Sequence, residues 1–363
     1  MKKAFYIVLL LLLVISCKDK VIDEIKTDNK LEKEIVTNNF IQVATFIGQQ
    51  VTGVSVADDG RIFVNFPRWR EGVIRSVAVL DSLNQAVSYP NASWNSWEIG
   101  QEVAANKFVG VQSVVVFEQN LYVLDTRNPM FKGVVDAPRV FVFDLKTNAL
   151  VHTYIFDKSS YHKDSYINDL RVDKKKNVVY FTDSGNSGLV ILDLKSGKTK
   201  RVLDDHKSTE AEVNFLTFEG EKWNRKVHSD GIALDTVHNK LYFHALTGYQ
   251  LYAIDTEVLV TGDEKTIEKN VKAIAKTSAP DGMLFDNKGN LFFADLEQHK
   301  IMYRKPDGSM HILLEGKDVN WADSFSIYEG YLYYTNSRIN EVEGDISDMV
   351  FSLNKVLLPM DEE

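Results

Sequence analysis

An amide and three carboxylates stand at equivalent positions between residues 168 and 323, each at the start of an alternating apolar stretch. They are Asn168 in INDLRVD, Asp230 in SDGIALD, Asp281 in PDGMLF and Asp323 in ADSFSIY. The first three are each followed five residues later by an aspartate, which places them in one register. Carboxylate and amide oxygens bind cations, and carboxylates also transfer protons. Brought together, these side chains would form an acidic site.

The stretches that contain these residues belong to a repeated unit. Each unit has a short alternating strand, a turn of Asp, Asn, Gly or Lys, and a second strand rich in Tyr, Phe and Val. Its copies are VTGVSVADDGRIFVNF, VQSVVVFEQNLYVLDT, INDLRVDKKKNVVYFTDS, SDGIALDTVHNKLYFHAL, PDGMLFDNKGNLFFADL and ADSFSIYEGYLYYTN. Several copies continue into third and fourth strands, as in GLVILDL followed by KTKRVL. Six four-stranded units predict an all-β fold, a six-bladed β-propeller, with a sandwich or several small β-domains as the alternative.

In a propeller the first strand of every blade lines the central channel, so the residue that opens this strand lies at the channel mouth. The expected ring is Thr52, Gln112, Asn168, Asp230, Asp281 and Asp323. Converging carboxylates need a cation, hydrogen-bond donors or raised pKa values. The alternative is that these residues only cap the strands, with Gly231 and Gly282 supplying positive φ angles.

Four further residues are candidates for contact with a ligand at this mouth. Arg68 and Trp69 follow the second strand of the first blade, where they would either hold an anionic or aromatic ligand or clamp a loop onto the ring. Trp321 precedes Asp323 by two residues and would wall the mouth. His228 precedes Asp230 by two residues, where it would act as an acid or base or be a plain loop histidine.

The N-terminus has the pattern of a lipoprotein signal peptide. Residues 1–16 contain two lysines and then an apolar run too short to span a bilayer comfortably. Val14-Ile15-Ser16-Cys17 resembles a bacterial lipobox, so we expect lipidation of Cys17, the only cysteine, and a membrane anchor there. Residues 17–39 form a charged tether and residues 40–363 the propeller. The expected location is the cell envelope, on the outer rather than the inner membrane.

Composition limits the partners of the chain. The formal net charge is -9, and loss of Lys2 and Lys3 would make it -11. No basic patch offsets this acidity, so nucleic acid is not an expected partner. We expect a monomer that binds a small molecule and uses no organic cofactor.

Three stretches resemble the yellow and major royal jelly protein family. They begin with FPRWREGVIRSVAVLD, NDLRVDKKKNVVYFTDS and SDGIALDTVHNKLYFHAL, and they occur in family order. The resemblance implies a six-bladed propeller. It also implies roles as diverse as those of the insect members, which include pigment formation, nutrition, amine binding in the channel and conversion of dopachrome. The name therefore predicts the fold better than the chemistry.

A weaker resemblance, to the gluconolactonase and SMP-30 group, implies a divalent metal site. Asn168 matches one asparagine ligand of that group, and Asp281 in Pro-Asp-Gly-Met matches its aspartate. Asp230 replaces a second asparagine and Thr52 replaces a glutamate, so the ligand set departs from that of the lactonases. Asn168, Asp230 and Asp281 remain a chemically sensible set for Ca²⁺ or another divalent cation.

Two functions remain from the sequence. The first is a binding protein whose acidic channel mouth holds a small aromatic or cationic ligand. The second is a metal-dependent enzyme of the lactonase type, in which the ion polarises a carbonyl. A dopachrome-type isomerase is a third and more distant possibility.

Overall fold

The computed structural model describes residues 40–360, and these form a closed ring of six four-stranded antiparallel sheets. The prediction of a six-bladed β-propeller is confirmed. The signal peptide, Cys17 and the tether lie outside the described residues. No helix in the described part of the chain is long and apolar enough to cross a membrane.

The blades follow one another in chain order after a first strand, β1 (Phe40–Ile47). Blade 1 has β2 (Gly53–Val56), β3 (Ile62–Asn65), β4 (Val77–Leu80) and β5 (Ala86–Ser88). Blade 2 has β6 (Val111–Phe117), β7 (Asn120–Asp125), β8 (Arg139–Asp144) and β9 (Leu150–Ile155). Blade 3 has β10 (Ile167–Asp173), β11 (Val178–Asp183), β12 (Gly188–Asp193) and β13 (Thr199–Val202).

A hairpin of β14 (Leu216–Phe218) and β15 (Glu221–Trp223) precedes blade 4. Blade 4 has β16 (Ser229–Asp235), β17 (Lys240–Ala245), β18 (Gln250–Asp255) and β19 (Lys272–Lys276), with α1 (Thr256–Thr261) and α2 (Glu264–Asn270) before its last strand. Blade 5 has β20 (Met283–Phe285), β21 (Leu291–Asp295), β22 (Lys300–Arg304) and β23 (Met310–Glu315). Blade 6 has β24 (Ala322–Tyr328), β25 (Tyr331–Asn336) and β26 (Val350–Leu357).

Strand β1 closes the ring. It pairs antiparallel with β26, from Phe40 opposite Val356 to Ile47 opposite Val350, and so supplies the outer strand of blade 6. The first and last described strands therefore share one sheet, which completes blade 6 beside blade 1. The repeats in the sequence begin at residue 51 and gave no sign of this strand.

The core lies between the blades, where aromatic residues of the second and third strands pack. Phe63, Phe141, Phe181, Phe243 and Phe292 have no exposed surface. Serine side chains also join neighbouring inner strands: the backbone N–H of Val56 donates to Ser326 Oγ at 2.9 Å, and that of Val116 donates to Ser55 Oγ at 2.8 Å. These contacts hold the inner strands in register around the axis.

The two faces of the ring differ in their loops. Inner strands begin at the face that we call the mouth face, where the long loops 66–76, 89–110, 126–138, 156–166 and 203–228 lie. They end at the opposite face, the turn face, where short turns such as 118–119, 174–177, 236–239 and 329–330 lie together with α1 and α2. Long loops are thus concentrated around one mouth of the channel, and loops held on a rigid scaffold often carry function.

Four of the six inner strands are irregular where they begin. The pairing register shifts between Val111 and Ser113, Ile167 and Leu170, Ser229 and Ile232, and Ala322 and Phe325. Gln112, Asn168, Asp230 and Asp323 lie within these irregularities. Such bulges free a side chain from the regular alternation of a strand.

The expectation of positive φ angles at Gly231 and Gly282 is wrong, since neither residue is among the positive-φ glycines. Both glycines instead allow a close approach between inner strands. A Cβ at Gly231 would lie 2.9 Å from the carbonyl oxygen of Asp281, and one at Gly282 would lie 3.0 Å from that of Asp323. The glycines therefore let neighbouring blades bring their leading side chains together.

Candidate functional site

Four of the six predicted ring residues form a continuous chain of side-chain contacts at the mouth face. Gln112 Nε2 donates to Asn168 Oδ1 at 3.0 Å, and Asn168 Nδ2 donates to Asp230 Oδ2 at 2.6 Å. The carboxyl groups of Asp230 and Asp281 lie within hydrogen-bond reach of each other, so the pair can share a proton. Each residue comes from a different blade, so blades 2 to 5 converge on one site.

Asp323 and Thr52 complete the ring in different ways. Asp323 lies close enough to Asp281 and Asp230 for their charges to raise its pKa. Thr52 is fully buried, and its Oγ1 accepts a hydrogen bond from Asn65 Nδ2 at 3.0 Å. Asn65 Nδ2 also donates to the carbonyl oxygen of Gln112 at 3.0 Å, so Thr52 is part of the channel wall.

The three carboxyl groups of the ring are held away from their ordinary charge state. Burial is the largest cause that raises the pKa of Asp230 well above its usual value, followed by the charge of Asp281. Burial also raises the pKa of Asp281 to about 7, although the hydrogen bond from Trp321 opposes the rise. The pKa of Asp323 is raised by burial and then by Asp281. The ring therefore retains protons at a pH where exposed carboxyl groups have lost them.

A fourth carboxylate lies beside the ring and was missed from the sequence. Asp169 accepts from Ser113 Oγ at 2.8 Å and from Arg171 Nη1 at 2.8 Å. Arg171 also donates through Nη2 to the carbonyl oxygen of Met283 at 2.7 Å, which ties blade 3 to blade 5. Asp169 thus has a cationic partner, in contrast to the three ring carboxyls. Its position directly after Asn168 is the sequence feature that could have indicated a place beside the ring.

Aromatic side chains extend the ring toward blade 1. Trp69 Nε1 donates to the hydroxyl of Tyr166 at 2.6 Å, and that hydroxyl donates to Gln112 Oε1 at 2.7 Å. Phe131 stacks on Trp69 with ring centres 5.7 Å apart and lies 4.7 Å from the ring of Tyr166. Of the three, only Trp69 was predicted from the sequence.

Phe131 combines exposure with backbone strain. Its side chain is 59% exposed, and both Met130 and Phe131 have left-handed backbones, with φ angles of 59° and 55°. Non-glycine residues adopt this region at a cost and often do so at functional sites. The loop 126–138 thus presents an aromatic ring to solvent at the mouth face.

Trp321 lies at the ring, as predicted, but it is fully buried. Its Nε1 donates to Asp281 Oδ2 at 2.6 Å. The hairpin of β14 and β15 covers it, since Phe218 stacks on it at 5.6 Å and Trp223 meets it edge-on at 5.1 Å between ring centres. Trp321 therefore connects this hairpin to the acidic ring.

Arg68 and His228 are engaged elsewhere. Arg68 Nη1 donates to the carbonyl oxygen of Val73 at 2.9 Å and Nη2 to that of Asn95 at 3.0 Å, so its buried guanidinium clamps loops of blade 1. His228 Nδ1 accepts from the backbone N–H of Ala211 at 3.2 Å, and burial lowers the pKa of the imidazole. These contacts favour a loop clamp for Arg68 and a loop histidine for His228 over contact with a ligand.

The oxygens of the predicted metal set are adjacent but partly occupied. Asn168 Oδ1 accepts from Gln112, and Asp281 Oδ2 accepts from Trp321. Within residues 40–360, no group of three or more His, Cys, Asp or Glu side chains is arranged to hold a metal ion. Two carboxylates and one amide suit a hard cation chemically, but the hydrogen bonds from Gln112 and Trp321 compete for two of their oxygens.

Comparison with known sequences identifies the family. Residues 109–350 match the family described as "Major royal jelly protein". The chain belongs to the major royal jelly protein family. Its relatives include major royal jelly protein 3 of Apis mellifera, which is 24% identical over 320 residues, or 77% of this chain and 57% of the relative. The dopaminechrome tautomerase of Drosophila melanogaster is 24% identical over 261 residues, which is 63% of this chain and 52% of that enzyme. The chain thus spans about half the length of the curated relatives that it matches.

Solved structures show the same architecture at low identity. A gluconolactonase from Xanthomonas campestris superposes with a TM-score of 0.56 at 11% identity, over 89% of this royal jelly family chain and 90% of the enzyme. A regucalcin from Agrobacterium tumefaciens, described as a calcium-binding protein, gives a TM-score of 0.55 at 11% identity, over 88% and 93%. These likenesses support the propeller fold alone.

Proposed function

We propose that this family member binds a small cationic, aromatic ligand at the mouth of its channel. The observation that carries the proposal is the set of buried carboxyl groups of Asp230, Asp281 and Asp323. Among the described residues none of the three forms a salt bridge, and burial together with mutual repulsion raises their pKa values. A ligand ammonium would supply the missing counter-charge.

The aromatic residues support the proposal that the ligand is aromatic. Phe131, Trp69 and Tyr166 form a stacked group whose polar atoms lead through Gln112 and Asn168 to Asp230. An aromatic ligand could stack on the exposed ring of Phe131 while its ammonium approaches the carboxyls. One relative is named a dopaminechrome tautomerase. That name favours a ligand related to dopamine here.

Calorimetric titration with tyramine tests the proposal. We expect saturable binding that Asp230→Asn weakens by about ten-fold or more, because a charge pair in a buried site is lost. Asp235→Asn is the matched control: it makes the same change at the opposite end of the same strand, and it should leave the affinity unchanged. The affinity should also rise as the pH passes through about 7, because Asp281 must lose its proton. Equal affinity in Asp230→Asn and the wild type would place the ligand elsewhere.

A divalent cation is the alternative occupant, in a metal-dependent lactonase or related hydrolase. Asn168, Asp230 and Asp281 would hold the ion, and the contacts between Asn168 and Asp230 and between Asp230 and Asp281 favour this set. A bound cation would polarise a lactone carbonyl. The side chains would then orient the substrate and supply a carboxylate as base.

Thermal unfolding with and without calcium separates the two occupants. A metal site predicts that millimolar Ca²⁺ raises the unfolding temperature and that Asp281→Ala abolishes the rise, because a ligand bound to the native state stabilises it. Asp286→Ala, on the same blade but at the turn face, should retain the response. Absence of a response to Ca²⁺, Mg²⁺ and Mn²⁺ would rule out the metal-dependent function.

We also propose that the protein is a monomer attached to the cell envelope by lipid at Cys17, with the outer membrane favoured over the inner. The support is the lipobox-like sequence and the preceding apolar run. After expression in a bacterial host, the wild type should incorporate labelled palmitate and Cys17→Ser should not, because the thiol that carries the lipid is absent. No labelling of the wild type, or equal labelling of the two proteins, would contradict the anchor.

A further inference from the structure

A second cleft lies at the seam where blade 6 meets blade 1. It has a volume of 390 Å³, which is within the range of small-molecule sites. Its walls are the link 47–50 between β1 and β2, residues 66–73 after β3, and residues 344–347 before β26. None of the six ring residues lines it, so it is separate from the acidic mouth.

Arg70 gives this cleft an unpaired positive charge. Its guanidinium is half-buried, and burial lowers its pKa. No hydrogen-bond acceptor or carboxylate pairs with it among the residues that the structure describes. A guanidinium that is partly withdrawn from water favours a carboxylate, which it can hold through two parallel hydrogen bonds.

Gln50 gives the cleft an unpaired acceptor. The side chain is only 4% exposed, and its Nε2 donates to the carbonyl oxygen of Ser337 at 2.9 Å. This hydrogen bond fixes the amide so that Oε1 is the other atom, and Oε1 has no donor within residues 40–360. A buried carbonyl oxygen without a donor is unfavourable. Oε1 has almost no accessible surface, so a side-chain shift that exposes it to a donor group of a ligand would be stabilising.

The other residues that line the cleft favour one kind of carboxylate ligand over another. Ile47 is 67% exposed and offers an apolar surface beside Arg70. Glu71 and Asp345 lie at the rim and are exposed. The Asp345 carboxylate accepts hydrogen bonds from the backbone N–H and the hydroxyl of Ser347, at 3.0 and 2.9 Å. Two rim carboxylates disfavour a simple anion and favour a ligand with a positive charge next to its carboxylate.

We propose that this seam cleft binds an apolar α-amino acid. Its carboxylate would pair with Arg70, its ammonium would donate to Gln50 Oε1, and its side chain would pack on Ile47. The proposal does not depend on the function of the acidic mouth.

Titration with four related probes tests the assignment. Leucine has the carboxylate, the ammonium and the apolar side chain. Isocaproate lacks the ammonium, and 3-methylbutylamine lacks the carboxylate. In 2-hydroxyisocaproate a hydroxyl replaces the ammonium. We expect leucine to bind with saturation at millimolar concentrations or below, and loss of either charged group to weaken binding about ten-fold or more. Because the amine probe could also enter the acidic mouth, each titration is repeated in Asp230→Asn. There the leucine affinity should be unchanged.

Two variants connect the binding to the cleft. Arg70→Gln should remove leucine binding, whereas Arg225→Gln, the same charge change at an exposed position outside the cleft, should preserve it. Gln50→Met should bring the affinity for leucine close to that for isocaproate. If that buried substitution prevents folding, Arg70→Gln still decides the question. Absence of leucine binding in the wild type, equal affinity in Arg70→Gln, or equal affinity for the hydroxy acid would overturn the proposal.

Discussion

The two ends of the inner strands use the same residue types for different purposes. At the turn face, aspartates bond to the backbone of their own turns. Asp235 Oδ1 accepts from the N–H groups of Val237 and His238 at 3.0 and 2.9 Å, and Asp286 Oδ1 accepts from that of Lys288 at 2.9 Å. At the mouth face, Asp230 and Asp281 bond to side chains from other blades and to each other.

Electrostatics separate the faces further. Hydrogen bonds from their own turns lower the pKa values of three turn-face carboxyls, Asp144, Asp193 and Asp307. Burial raises those of Asp230, Asp281 and Asp323. Local turn geometry therefore accounts for the turn-face aspartates, whereas the mouth aspartates are costly to the fold. This cost is what suggests a ligand.

The largest expected effect comes from uncovering the mouth. Trp321→Ala should destabilise the protein by about 3–5 kcal/mol, because a fully buried ring that packs on Phe218 and Trp223 is lost. The variant also changes the pKa of Asp281 in two opposite ways, because water lowers it and loss of the Trp321 hydrogen bond raises it. Burial is the larger of the two causes, so we expect a net fall in this pKa. Chemical denaturation at several pH values measures both effects.

Phe181→Ala is the control for this substitution. Phe181 is also fully buried, and it packs between blades, 5.0 Å from the ring of Phe156. Its loss should lower the free energy of unfolding without changing how that energy depends on pH. If both variants alter the pH dependence alike, then the hairpin does not control the mouth carboxyls.

A smaller effect should come from removing one mouth carboxyl. Because the pKa of Asp281 is raised from 3.8 to about 7, the native state binds more protons than the unfolded state in this range. The free energy of unfolding should therefore fall as the pH rises from about 4 to 7. Asp281→Asn should flatten this fall and stabilise the protein at pH 8.

Asp193→Asn makes the same substitution at the turn face and should act in the opposite direction. Hydrogen bonds lower the pKa of Asp193, so its contribution to stability is present above the unfolded value and lost in acid. The variant should be slightly less stable than the wild type at neutral pH. Stability profiles with the same slope for the two variants would remove the distinction between the faces.

Sequence reasoning succeeded where the structure is locally encoded. The turn residues and alternating strands predicted the six units, and the five-residue spacing to Asp173, Asp235 and Asp286 placed Asn168, Asp230 and Asp281 in one register. The family resemblance is confirmed by the match over residues 109–350. Both results depend on patterns that repeat within a few residues.

It failed where contacts join distant segments. Strand β1 pairs with β26, more than 300 residues away in the chain, and no local pattern indicates such a partner. Phe131 and Tyr166 lie in irregular loops, and only the closed ring brings them to Trp69. Gly231 and Gly282 were misjudged for the same reason, since the neighbouring blade requires them and not their own turn.

The smallest expected effect tests whether the aromatic group belongs to the mouth. Tyr166→Phe removes the hydroxyl that accepts from Trp69 Nε1 and donates to Gln112 Oε1. Two partners lose a hydrogen bond, so the free energy of unfolding should fall by about 1–2 kcal/mol. Tyramine affinity should fall as well, because Gln112 positions Asn168 and through it Asp230.

Tyr180→Phe is the matched change near the turn face, where the hydroxyl donates to Asp173 Oδ2 at 3.2 Å. It should cost about 1 kcal/mol of stability and leave tyramine binding unchanged, since its partner serves only a turn. Tyr166→Phe and Tyr180→Phe should therefore differ in their affinity for tyramine more than in their stability. Should both variants bind tyramine equally well, the hydrogen-bond chain from Trp69 to Asp230 would be a structural element of the ring wall with no part in the ligand site.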